Sequence, residues 1–93
     1  MYELDYTGKF KKDMKTCQKR GYNMDLLRQV IEYLEKDGQV PGKYNPHTLK
    51  GKLRGFWECH ITPDWILIYD VQDKVRLVSL ARTGTHSDLL SKK

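Results

Sequence analysis

The chain has 93 residues, enough for a single domain over residues 1–93 whose one core buries roughly 60–68% of the unfolded surface. Its 17 Lys and Arg against 12 Asp and Glu leave a net charge of +5, an excess that favours a polyanionic partner, nucleic acid first, by counterion release and steering. No apolar run approaches the ~20 residues of a membrane-spanning helix, no secretory leader opens the chain, and Cys17 and Cys59 match no CxxC or metal-ligand spacing; a cytoplasmic protein with no membrane partner and with reduced, buried thiols is expected.

In chain order, Tyr2 to Tyr6 alternates and predicts a short first strand. Thr7 is placed to cap a helix over Lys9 to Arg20, in which Phe10, Met14 and Cys17 share a face and Gly21 is the stop. Lys9, Lys11, Lys12, Lys15, Lys19 and Arg20 give that helix a basic outer surface. Asn23 predicts the N-cap of a second helix with an apolar stripe of Leu26, Leu27, Val30, Ile31 and Leu34, Asp25 at the positive end of its dipole and Gly38 at its end. Two amphipathic helices on a short connection form a hairpin whose stripes need a sheet to cover.

Pro41-Gly42 and Asn45-Pro46 then mark turns, and His47 to Gly55 is basic and punctuated by glycine. Phe56 to Ile61 predicts a half-buried strand, with Trp57, Cys59 and Ile61 alternating with Glu58 and His60. A turn at Thr62-Pro63 leads into Trp65 to Val71, whose WILIY segment is apolar on both faces, as a central covered strand would be. After a turn at Gln72-Asp73 come a strand over Val75 to Ala81, a loop over Arg82 to His86 and a helical turn at Ser87 to Leu90. The predicted class is α+β: an N-terminal helical hairpin packed on a small antiparallel sheet.

If the last three strands form a meander, His60, Asp64, Arg82 and His86 arrive at one end of the sheet. His47 is left unplaced, because its loop leads into the opposite end of the strand. On a basic protein this set suits RNA cleavage by the substrate's own 2′-hydroxyl, which needs a base, an acid and positive charge on the phosphate; imidazoles supply the first two and arginine the third. Trp65 could stack on a base, although its periodicity reads as core, and Asp64 after Pro63 could equally shape the turn. Lys50, Lys52 and Arg54 by themselves are a solvated basic loop. Zinc ligation by the three histidines and Asp64 is a rival, but the His47, His60 and His86 spacings match no metal motif, and neither metal nor cofactor is expected. A docking surface without chemistry is the third reading.

Three motifs together carry a resemblance. His47-x-Leu49-x-Gly51, then Glu58-Cys59-His60-Ile61-x-Pro63-Asp64-Trp65-Ile66-Leu67-Ile68-Tyr69, and last Arg82-Thr83-Gly84-Thr85-His86-Ser87-x-Leu89 closely resemble the YafQ branch of the RelE/ParE toxin superfamily. The resemblance implies a type II toxin, a ribosome-dependent endoribonuclease that cuts mRNA, with the ribosome, mRNA and an acidic neutralising antitoxin as partners. By position, His47, His60, Asp64 and His86 match catalytic residues and Arg82 the arginine that stabilises the phosphate. His86 would be the general acid, with His60 and Asp64 near the attacking hydroxyl. Trp65 matches a position near the RNA, and Lys9, Lys11, Lys12, Lys50, Lys52 and Arg54 would grip ribosomal RNA. Leu90, before Ser91-Lys92-Lys93, stands where the branch carries an aromatic, which removes a stacking contact. The alternatives are a ParE-like gyrase inhibitor on the same fold, which needs no acid–base residues, and a plain RNA-binding module.

Overall fold

The computed structural model describes residues 1–90; Ser91-Lys92-Lys93 lie outside it. Helix α1 (Gly8–Lys19) begins where Thr7 Oγ1 accepts the Phe10 N–H at 3.1 Å, and α2 (Met24–Asp37) where Asn23 Oδ1 accepts the Asp25 N–H at 3.1 Å. Gly38 closes α2 in the left-handed region, φ 72°, with its N–H donating to Leu34 O at 2.8 Å. A Cβ there would meet the Tyr2 ring at 2.5 Å, so both backbone and space demand glycine.

The strands are β1 (Glu3–Tyr6), β2 (His47–Thr48), β3 (Trp57–Thr62), β4 (Trp65–Gln72) and β5 (Leu77–Gly84), in one sheet ordered β1-β5-β4-β3-β2, and a short α3 (His86–Leu90) follows. β2 to β5 are antiparallel neighbours, but β1 lies parallel to β5, which makes the sheet mixed rather than wholly antiparallel. The helical pair carries the chain from β1 at one edge of the sheet to β2 at the other, and the meander β2 to β5 then brings the chain back beside β1, so no tight turn has to join the parallel pair. β4 occupies the centre, as its two-sided apolar character requires.

One face of the sheet is covered by the helices. Phe10 and Cys17 of α1 and Leu27, Val30, Ile31 and Leu34 of α2 pack in one core with Cys59, Ile61, Leu67, Tyr69, Val78 and Leu80. Burial, and after it the Glu58 carboxylate, push the Cys59 thiol up to about 12, and burial raises that of Cys17 too; both cysteines are free and inert.

Irregularities in register direct side chains to the other face. Ile68 pairs with Arg82 while the next residue, Tyr69, pairs with Leu80, so Ala81 is the extra residue of a bulge in β5. The bulge turns Arg82 to the side of Ile68, opposite Leu80. β5 also runs to Gly84, so Arg82 stands in a strand and not in the loop that its sequence suggests. Among the described residues, no helix is long and apolar enough to cross a membrane.

Candidate active site

The open face of the sheet carries two rows of cross-strand neighbours. The first runs His47, Glu58, Ile68 and Arg82 across β2 to β5, and the second His60, Ile66 and Gly84 across β3 to β5. Ile66 and Ile68 form an apolar floor at 0% and 1% exposure. On that floor Glu58 is only 3% exposed, a buried carboxylate with three imidazoles around it.

Glu58 Oε1 lies 2.8 Å from His47 Nε2 and 3.6 Å from His60 Nε2, and Oε2 lies 3.3 Å from His86 Nε2. The last distance is within ion-pair reach but the groups are poorly aligned, so Oε2 receives no hydrogen bond. A buried acceptor left without one is rare and costly, and it calls for a functional explanation. The rings are mutual neighbours: His60 and His86 centroids are 5.3 Å apart, His47 and His60 6.1 Å. His47 Nδ1 is 3.0 Å from Asn45 O, so both of its ring nitrogens face oxygen atoms.

His47 thus joins the cluster through the two-residue strand β2, whose pairing sets it directly opposite Glu58. Sequence reasoning missed Glu58 itself. The only signal was its place in the alternation of β3, two residues before His60 and on the same face.

Asp64 is not part of this cluster. It is exposed in the turn between β3 and β4, engaged by no side-chain hydrogen bond or ion pair among the described residues, and lines a groove of about 290 Å³ with Tyr22, Leu26 and Trp65. Trp65 is 3% exposed, its indole N–H donates to Thr83 Oγ1 at 2.9 Å, and Tyr22 covers it at 4.9 Å between centroids. As placed, Trp65 offers no open face to a base; the core reading of its periodicity describes it, and Tyr22 is the aromatic in front.

Arg82 Nε and Nη2 donate to Asp13 Oδ2 and Oδ1 at 2.7 and 3.1 Å, and the Thr83 N–H donates to the same Oδ2 at 3.1 Å. This pairing raises the guanidinium further above its ordinary value and leaves Nη1 to other partners. Arg82 also lines a second groove of about 290 Å³ on the open face, with Ile68, Leu53, Phe56 and Leu89. Lys9, Lys11, Lys12, Lys50, Lys52 and Arg54 are all exposed and enter no ion pair among the described residues. Leu90 ends α3 half-buried.

Arg82 engages Asp13; Thr83 Oγ1 accepts from Trp65 and donates to Ile66 O at 2.9 Å; Thr85 caps α3; His86 faces Glu58. His47, Glu58 and His60 could also hold a metal ion, each offering one ligand atom within 4.8 Å of the others. That donor set has Glu58 where the sequence suggested Asp64.

Histidines gathered on a carboxylate, beside an arginine and a basic surface, define a class of small protein built to act on a nucleic-acid backbone. Comparison with known proteins gives that class its family. The model of the bacterial toxin of type II toxin–antitoxin systems, YafQ, matches residues 2–91. The Escherichia coli K12 protein named mRNA interferase toxin YafQ is 39% identical over 88 residues, 94% of either chain. The E. coli DinJ–YafQ complex contains a chain that superposes with a TM-score of 0.86 at 37% identity, over 96% of this chain and 98% of that one. A metal-bound toxin from Helicobacter pylori does so with a TM-score of 0.86 at 37% identity, over 96% and 99%. The chain belongs to the YafQ family of type II toxins.

Proposed function

We propose that this toxin is an endoribonuclease that cuts mRNA on the ribosome by attack of the substrate's own 2′-hydroxyl on the neighbouring phosphate. The observation that carries the reading is the buried Glu58 carboxylate, within 3.6 Å of an imidazole nitrogen from each of three histidines. A gyrase inhibitor or a plain RNA-binding module has no use for such an arrangement, which burial penalises.

In this reading the phosphate rests over Ile66 and Ile68, between the imidazoles and Arg82. His60 takes the proton of the 2′-hydroxyl, the bond from that oxygen to phosphorus forms, and the bond to the 5′-oxygen breaks as His86 protonates it. The products are a 2′,3′-cyclic phosphate and a free 5′-hydroxyl. Arg82, oriented by Asp13, carries the charge that builds on the phosphoryl oxygens. Glu58 holds the rings and balances the imidazolium that forms, with His47 steadying it from the far side. Asp64 is a candidate to orient the hydroxyl from its turn. The exposed lysines of α1 and of residues 50–54 supply sequence-independent grip on ribosomal RNA. A cognate antitoxin is the protein partner, since the related E. coli toxin forms a complex with DinJ. An acidic segment ordering on the basic surface fits the charge, and ribosomes and mRNA make the cytoplasm the place of action.

Induction without antitoxin, followed by primer extension on mRNA, should reveal cuts spaced by codons. His86→Ala should keep its fold, lose about 10²–10⁴-fold in cleavage rate and let cells grow. Intact mRNA with damaged DNA would identify a gyrase inhibitor instead.

The donor cluster favours one second reading, in which a metal ion occupies His47, Glu58 and His60, as the related H. pylori toxin is described as metal-bound. An ion there takes the nitrogen lone pairs that proton transfer needs. Added zinc or copper should therefore inhibit cleavage, and a chelator selective for zinc and copper that spares ribosomal magnesium should restore it; cleavage abolished by that chelator would make the ion part of the reaction.

A further inference from the structure

Helix α1 is tied to the end of β5 and to the short helix after it by two ion pairs of opposite polarity. Asp13 of the helix holds Arg82, and Arg20, its C-cap, holds Asp88 through Nη1–Oδ2 at 2.7 Å and Nη2–Oδ1 at 3.2 Å. His86 lies between the two anchors.

Asp88 does more than meet Arg20. Its Oδ2 accepts the Thr85 N–H at 3.0 Å, and its own N–H donates to Thr85 Oγ1 at 3.1 Å, the reciprocal bonds of a capping box. His86 is the first residue of the helix that this box starts, so the box sets the direction in which its side chain leaves the backbone. Five residues make a helix too short to maintain its own start, and an anchor from elsewhere has to do so. Gly84 shows how little slack remains, because a Cβ there would stand 3.0 Å from Asp88 Oδ2. A half-exposed ion pair contributes little stability, but a two-pronged one restricts geometry.

We infer that Arg20 is a positioning residue for His86, acting through the Asp88–Thr85 capping box to aim the imidazole at the departing 5′-oxygen. The inference rests on the reading of His86 as general acid. It explains why a residue at the far end of α1 reaches across to α3 with both arms of its guanidinium.

The test compares two mRNAs on translating ribosomes, one unmodified and one with sulfur in place of the bridging 5′-oxygen at the cut. A thiolate leaves without needing a proton, so a defect confined to the acid disappears on the sulfur substrate. Arg20→Ala should cut the oxygen substrate about 10- to 100-fold more slowly than the parent, as a small misplacement of a reacting group would, and the sulfur substrate at nearly the parent rate. Asp88→Asn breaks the same pair from the other side and should behave alike, which keeps the result independent of either variant's folding. Parent-like cutting of the oxygen substrate by both variants, or equal slowing on both substrates while His86→Ala is rescued by sulfur, overturns the positioning role and leaves the acid reading standing. A His86→Ala defect that persists on the sulfur substrate overturns the acid reading, and this role with it.

Discussion

On the helix-covered face of the sheet, Cys59, Leu67, Tyr69, Val78 and Leu80 are buried among apolar neighbours. On the opposite face Ile66 and Ile68 are just as buried, yet their cross-strand partners on β3 are His60 and Glu58. The strands are the same; what differs is which residues stand on either side of each pleat. Where helices cover the sheet, every position serves packing. Where they do not, apolar side chains serve as the floor on which a buried carboxylate is held beneath three more exposed imidazoles, and local consistency is given up where function sits.

The contrast breaks first under substitution in the covered face. Leu34→Ala, at a fully buried position of α2, should lower stability by about 2–5 kcal/mol in a denaturant titration and leave the cleavage rate per folded molecule unchanged. Glu58→Met should do the reverse. Removing a buried carboxylate with one oxygen that receives no hydrogen bond should leave stability unchanged or raise it by about 1–3 kcal/mol, while cleavage is lost. A Glu58→Met protein that melts as early as Leu34→Ala would mean that the two faces do not differ in kind.

The covered face was legible in the sequence because its signals are periodic. Phe10 and Cys17, the stripe of α2 and the alternation of β3 all follow from repeats of 3.6 or 2, and the caps Thr7 and Asn23 and the stop Gly38 follow from local chemistry. The open face was legible only in part. Period 2 assigned Glu58 and His60 to solvent, and nothing local says that a single helical turn at Gly51–Leu53 helps fold the chain back to pair His47 with Glu58. Arg82 reaches the open face through the bulge at Ala81, a register shift that alternation cannot reveal. The first strand was legible but its parallel pairing was not, because four alternating residues carry no direction. The meander brings Asp64 and Trp65 to the same end of the sheet as His60, but alternation does not reveal that the turn directs them toward Tyr22 and α2, beside the imidazole cluster and not within it.

The smallest effect lies where the two faces meet, at the tie between α1, which covers one, and α3, which borders the other. Arg20, and after it the Thr85 N–H, hold the Asp88 carboxyl well below the usual carboxylate range. A carboxylate whose value falls on folding stabilises the fold at every pH above its unfolded value, about 4, and that contribution fades as pH drops toward the folded value. The stability difference between the parent and Asp88→Asn should thus be constant from neutral pH down to about 5 and close progressively below about 4. Both partners are partly exposed, so added salt should narrow the neutral-pH difference as well. A difference indifferent to both pH and salt would trace instead to the Thr85 hydrogen bonds, which the asparagine amide reproduces only in part. Arg20 would then be a bystander at the end of α1, and of the two ion pairs only Asp13–Arg82 would tie that helix to the open face.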